Sequence, residues 1–192
     1  MPRAGLDTEA VVGAAEELAD ANGLEAVTLA TLARQLGVRP PSLYAHITGL
    51  PDLRRRLAAR GARRLAAAMQ TAAAGRARGD ALAAVADAYR TYAREHPGSY
   101  AALQRAPDPD DAETRDAGAQ AVDVVLAVLR GYGLESDDAI HATRIIRCAL
   151  HGFVSLEASV GFGLPLDVDE TFARLTRLLD QGLAAATPAA YA

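Results

Sequence analysis

The chain has little of what disulfide-bonded, metal-bound and membrane-spanning architectures need. Of its 192 residues only Cys148 is a cysteine, which excludes an internal disulfide and a Cys-rich zinc module. No run approaches the roughly 20 apolar residues of a membrane span. The start, MPRAGLDTEA, lacks the apolar stretch of a secretion signal, so no membrane partner and a cytoplasmic location are expected. No segment alternates apolar and polar residues as a half-buried strand does, and there is no internal repeat. Lysine is missing too: all twenty basic residues are arginine. With so much alanine, that preference reads as coding bias and carries no functional weight.

What is present is helix spacing from end to end, and the fold class expected is all-α. A first helix begins near Asp7, with Val11, Ala14, Ala15 and Leu18 on one face, and stops at Asn22-Gly23, where glycine suits a left-handed cap. Thr28 is placed to cap a second helix that reaches Leu36. Gly37 breaks it. Pro40 and Pro41 fit the first turn of a third helix, where their missing N–H groups cost nothing, and that helix is predicted to run to about Ile47. A long fourth helix opens at Gly49-Leu50-Pro51-Asp52. AGRARGD (74–80) reads as a linker, and a fifth helix carries Leu82, Val85, Ala86 and Tyr89 at i, i+3, i+4, i+7. A short helix from Ser99 to Arg105, a loop at 106–111 and helices near 112–130, 136–160 and 167–186 follow. Ser136 and Asp167 are the expected N-caps, Asp167 and Glu170 have capping-box spacing, and TPAAYA at the end is expected to fray. Residues 1–50 read as one domain and 51–192 as a larger helical one.

Charge is uneven. Thr28–Arg64 holds eight arginines against one acid, Asp52, for +7, whereas Leu65 onward holds eleven against seventeen acids, for −6. A basic segment on an acidic body points to a nucleic-acid face. Within that segment Ala33 is a small residue where two helices would cross, Gly37 supplies the turn, and Val38 and Leu43 anchor the following helix. Pro41, Ser42, Tyr44 and Ala45 then face outward, as a helix-turn-helix presents side chains to a major groove. Ser hydroxyls reach phosphate, and Tyr44 and His46 can donate to phosphate while their rings pack on sugar. The bland reading of Arg54-Arg55-Arg56 is a solvated helix face.

Those residues carry a resemblance. TLATLARQLGVRPPSLYAHI (28–47) resembles the helix-turn-helix of the TetR family of transcriptional regulators, which reads Thr, Ile/Leu-Ala, Leu-Gly-Val, then Leu-Tyr-x-His-Phe. Thr28, Leu32, Ala33, Leu36, Gly37, Val38, Leu43, Tyr44 and His46 match, and Ile47 replaces the phenylalanine. The resemblance spans residues 7–57; HGFVSLEA (151–158) also resembles the C-terminal domain of a TetR subgroup. It implies that Thr28 contacts phosphate, that Arg39, Pro40, Pro41 and Ser42 lie on the DNA face, and that Tyr44 and His46 hold the backbone. Many members carry a phosphate-binding lysine where this chain has Leu50, so that contact is expected to move to Arg54, Arg55 or Arg3. The prolines offer only apolar contact, for instance to thymine methyls.

The body carries two further patterns. Residues 136–160 have an apolar arc of Ala142, Ile145, Ile146, Ala149, Leu150, Phe153, Leu156 and Val160, wider than the ~100° stripe one core needs. Ile146, Leu150 and Phe153, with Phe172, Leu175 and Leu179 of the last helix, are the expected homodimer interface. Tyr89, Tyr92, His96, Tyr100, Leu103, Arg147, His151 and Phe153 are candidates to line a pocket for a small-molecule ligand, which the resemblance casts as an inducer. Cys148, His151 and His141 could in principle meet a metal, but a soft site needs three or four ligands and there is no other cysteine, and a Cys–His pair on one helix lacks the third group that orients a nucleophile. No metal, cofactor or catalytic set is expected. The sequence therefore reads as a dimeric regulator of a double-stranded DNA operator, most simply a repressor released by a ligand. The alternatives are a ligand-independent dimeric regulator, and a helical enzyme or scaffold with an incidental helix-turn-helix.

Overall fold

The computed structural model describes residues 6–104 and 111–186. Arg3, the C-terminal TPAAYA and nearly all of the 106–111 loop, with Arg105 before it, lie outside the described residues. Eight α-helices carry the fold: α1 Thr8–Asn22, α2 Leu29–Leu36, α3 Leu50–Ala73, α4 Arg78–Glu95, α5 Pro97–Leu103, α6 Ala112–Arg130, α7 Ser136–Ala158 and α8 Val168–Ala185. A 3-10 turn, Leu24–Ala26, precedes α2, and a 3-10 helix, Pro40–Ala45, follows it. The described residues contain no strand.

Contacts divide the chain into two compact units, one of residues up to 64 with 95–118, the other of 65–94 with 119 onward. In the first, Asp7 caps α1 by accepting from the Ala10 N–H at 2.7 Å. The buried stripe Val11, Ala15 and Ala19 meets Val27, Leu32, Leu43, Ile47, Leu53 and Leu57 in one apolar cluster. Each fully buried Val, Leu or Ile there contributes about 1.5–3 kcal/mol of transfer free energy. α5 lies so close to α1 that a Cβ on Gly98 would sit 2.1 Å from the Ala19 backbone. Asp20 of α1 secures that approach, accepting from the Ser99 N–H at 2.8 Å and pairing with His96 Nδ1 at 3.0 Å.

The second unit is held by polar clasps as much as by apolar packing. Arg90 on α4 is buried, donates through Nε to Glu157 at 3.0 Å and through Nη2 to Glu157 and Asp169. Its guanidinium lies 5.3 Å from the Phe153 ring centre and 4.8 Å from that of Phe172, close enough for cation–π attraction. Phe162 packs in a tilted contact on Phe153 with ring centres 4.9 Å apart. The Tyr132 hydroxyl donates to Asp180 at 2.5 Å; burial and that carboxylate push its pKa well above the ordinary tyrosine value.

Two expectations about helix ends are corrected. Glu135 is the N-cap of α7 and Ser136, with φ +50°, is its first residue. Asp167 caps α8 through the Asp169 and Glu170 N–H groups, but the Glu170 carboxylate turns outward to Arg174 and Arg177 instead of completing a capping box.

Candidate nucleic-acid interface

The geometry of residues 28–47 follows from local hydrogen bonding. Thr28 and Thr31 cap each other: the Thr31 N–H donates to Thr28 Oγ1 at 3.1 Å and the Thr28 N–H to Thr31 Oγ1 at 2.9 Å. This reciprocal cap starts α2 at Leu29, with Leu32 and Ala33 buried. Gly37 ends it in the left-handed region (φ 67°, ψ 29°), its N–H and that of Val38 returning to the Arg34 and Ala33 carbonyls. A Cβ there would carry a conformational penalty that glycine avoids.

The helix expected from Pro40 to Ile47 is instead a 3-10 helix that stops at Ala45. Two adjacent prolines remove two of its N–H groups, and what remains closes as short i→i+3 bonds: Ser42 N–H to Arg39 O and His46 N–H to Leu43 O, both 2.9 Å. Such helices are stable only as short pieces, and this one is held down by Leu43 and Ile47, both buried in the cluster below. Arg39, Pro40, Pro41, Ser42, Tyr44 and Ala45 are exposed, Tyr44 to 59%. His46 is half-buried, its carbonyl accepting from Thr8 Oγ1 at 3.3 Å. The candidate residues from Arg39 to His46 therefore share one short, polar-tipped surface element, while Thr28 stands exposed as the cap of α2.

The second half of the basic run behaves differently. Arg54 is bound to Glu25 at 3.2 Å, Arg55 and Arg56 to Asp52 at 3.0 and 3.1 Å, Arg60 to Glu16 at 2.8 Å and Glu9 at 2.5 Å, Arg63 to Glu113 at 2.5 Å and Arg64 to Glu16 at 2.7 Å. Burial pushes the Asp52 carboxyl up, but the Thr48 N–H and the two guanidiniums outweigh it and hold the group below the usual carboxylate value. Burial likewise works against the Arg60 charge, and Glu16 and Glu9 more than reverse it. Four carboxylates from outside the segment, Glu9, Glu16, Glu25 and Glu113, thus cut the +7 of residues 28–64 to +3. Arg54, expected to take over a phosphate contact, is one of the arginines already held.

Among the described residues no ion pair is formed by Arg39 or Arg34, both exposed. Arg34 was missed from sequence, although a signal existed. With Leu32, Ala33 and Leu36 on the inner face of α2, the position after Ala33 points away from the core.

The candidate pocket residues come from both compact units, and the candidate dimer residues from α7 and α8. His96, Tyr100 and Leu103 belong to the first compact unit, and Tyr89, Tyr92, Arg147, His151 and Phe153 to the second. Tyr89, Tyr92, Tyr100 and Phe153 are buried, His151 and Leu103 half-buried, and Arg147 exposed. Ile146, Leu150, Phe153 and Phe172 are buried within the single chain. The outer part of the α7 arc is carried by Ile145 and Leu156 and that of α8 by Leu178, each about half exposed or more; Leu175 and Leu179 are half-buried between the two. Arg90 had no sequence signal beyond its place next to the buried stripe of α4. Among the described residues no helix is long and apolar enough to cross a membrane, and no group of three His, Cys, Asp or Glu could hold a metal.

Comparison with known proteins adds independent findings. Residues 11–47 match the family described as "Bacterial regulatory proteins, tetR family", and residues 82–179, about half the chain, match "Tetracyclin repressor-like, C-terminal domain". An uncharacterized HTH-type transcriptional regulator of Mycobacterium tuberculosis, Rv0681, is 40% identical over 181 residues, covering 94% of this chain and 83% of that protein. The fold is shared with BioQ bound to its natural double-stranded DNA operator (TM-score 0.69, 23% identity, 94% of this chain and 99% of that one). It is shared as well with a point variant of TetR from Acinetobacter baumannii in complex with minocycline (TM-score 0.72, 22% identity, 96% and 100%).

Proposed function

The chain belongs to the TetR family of DNA-binding transcriptional regulators, and from that premise we propose that it is a homodimeric repressor of a double-stranded DNA operator, released by a small-molecule ligand. The observation that carries the DNA part is the outward presentation of Arg39–Ser42, Tyr44 and Ala45 above buried Leu43 and Ile47. In this reading residues 1–50 bind DNA and 51–192 serve dimerisation and ligand binding. Thr28, Arg39, Ser42, Tyr44 and His46 hold phosphate and sugar, with Arg34 added to them. Pro40 and Pro41 make apolar contact with bases, and Arg54 joins when phosphate replaces Glu25. Working on DNA, the protein resides in the cytoplasm.

The dimer face we assign is the outer stripe of Ile145, Leu156 and Leu178, which two copies would bury against each other around a two-fold axis. Two heads one DNA turn apart then read a palindrome together. A ligand that favours another separation of the heads lowers operator affinity by its differential affinity for the two states. That the A. baumannii protein was crystallised with minocycline supports a ligand here without naming it. The test is binding of the purified protein to its own promoter DNA, followed as salt is raised. Specific binding whose log K falls linearly with log salt supports the reading; weak, sequence-indifferent binding contradicts it.

A further inference from the structure

α3 has a face with no place in the DNA-binding account. Arg56, Arg60, Arg63 and Arg64 stand at i, i+4, i+7 and i+8, the spacing at which a helix places its core residues. With Thr8, Glu9 and Val12 of α1 and Glu113 at the start of α6 they line a cavity of about 290 Å³ within the first compact unit. We propose that this cavity binds a small dicarboxylate, with Arg60 and Arg63 gripping its two ends.

The argument lies in the four carboxylates that hold these arginines. Glu16 and Asp52 are buried, with side chains 6 and 7% exposed, and belong to the permanent structure. Glu9 and Glu113 are different: their side chains are 80 and 49% exposed. Exposed ion pairs contribute about 0.2–1 kcal/mol each, because water competes for both partners, so these two can be exchanged. With them swung out, four guanidiniums face two carboxylates, and the cavity carries +2.

A dianion matches that charge. Each guanidinium has five N–H donors. The contacts to the glutamates and Asp52 engage one or two on each: Nε and Nη1 of Arg60, Nη2 of Arg63, Nη1 of Arg64 and Nε of Arg56. Donors therefore remain for a second, forked carboxylate contact, the strong geometry for arginine. Residues three apart on a helix have Cβ atoms about 5–6 Å apart, which suits a diacid of four or five carbons. The two exposed glutamate carboxylates already mark its ends. Joining both carboxylates in one molecule makes the second contact intramolecular, an advantage that two separate monocarboxylates lack.

The test is calorimetric titration and thermal unfolding of the full-length protein with succinate and glutarate, against acetate and chloride at matched ionic strength. The expected result is one saturable site per chain and a rise in Tm for the diacids alone. Glu113→Gln removes a competitor and is expected to tighten diacid binding severalfold, whereas Arg63→Gln weakens it about tenfold. If the diacids do no more than acetate in both the wild type and the Glu113→Gln variant, the proposal is overturned. It is equally overturned if Arg63→Gln lowers affinity for DNA while no diacid site exists to lose, since the arginines then belong to the DNA surface.

Discussion

Two stretches of one basic run, residues 28–47 and 52–64, have opposite fates. In the first, Arg34 and Arg39 stand exposed without an ion pair among the described residues, beside a short helix that turns Ser42 and Tyr44 outward. In the second, six arginines are each bound to a carboxylate, and three of the partners, Glu9, Glu16 and Glu113, lie 44 to 51 residues away. Charge summed along a sequence measures composition; charge available to a phosphate is what folding leaves unpaired. A window of +7 is compatible with either outcome, and only tertiary pairing decides.

Substitutions can break this contrast from both sides. The largest expected effect lies beneath the first stretch: Leu43→Ala is expected to cost about 2–5 kcal/mol, because Leu43 is fully buried and anchors the 3-10 helix. Ser42→Ala, its exposed neighbour, is expected within about ±0.5 kcal/mol; chemical denaturation of both separates the inner side from the outer. Next comes the second stretch. Glu16→Gln uncouples Arg60 and Arg64 from a buried partner and is expected to lower stability by about 1–3 kcal/mol, with the salt dependence of DNA binding unchanged. The double variant Arg34→Ala/Arg39→Ala is expected to do the reverse. DNA affinity falls about tenfold to a hundredfold as two phosphate contacts are lost, while Tm hardly moves. The smallest effect is at Glu25→Gln, which frees Arg54 from a surface pair worth under about 1 kcal/mol and is expected to raise DNA affinity a fewfold.

Acid provides a further probe of the paired stretch. The Asp52 carboxyl sits below its ordinary 3.8 in the folded protein, so its contribution is fully present above that value and is lost as pH falls through the folded pKa. Glu157, held low by its hydrogen bonds to Arg90, behaves in the same way below 4.5. Asp52→Asn is expected to flatten the loss of stability below about pH 4, measured by denaturation at stepped pH.

Much of the fold was legible because it depends on local signals. The start of α1 near Asp7, the caps at Thr28 and Asp167, the break at Gly37 and the inward Leu43 are each decided within a few residues, and the structure has them where the sequence pattern placed them. The 3-10 form of Pro40–Ala45 was missed because proline at a helix start favours α and 3-10 turns alike; the shortness of the segment decides between them. The pairing of Arg60 with Glu16, or of Arg90 with Glu157 and Asp169, joins helices 44 to 79 residues apart, and no local pattern encodes it. The same holds for His96, read as a pocket residue and found paired with Asp20. The wide arc of α7 divides into a buried part that includes Ile146 and an exposed part that includes Ile145, and which part faces inward depends on how α8 packs against it.

The central claim is that residues 28–47, and not the paired arginines from Arg55 to Arg64, supply the charge that meets DNA. The most direct measurement is the slope of log K against log salt for promoter DNA, compared among the wild type, Arg34→Ala/Arg39→Ala and Arg56→Ala/Arg63→Ala. The account predicts a slope shallower by about 1.8 for the first variant, roughly 0.9 per lost phosphate contact, and an unchanged slope for the second. A slope unchanged in the first and shallower in the second would contradict it.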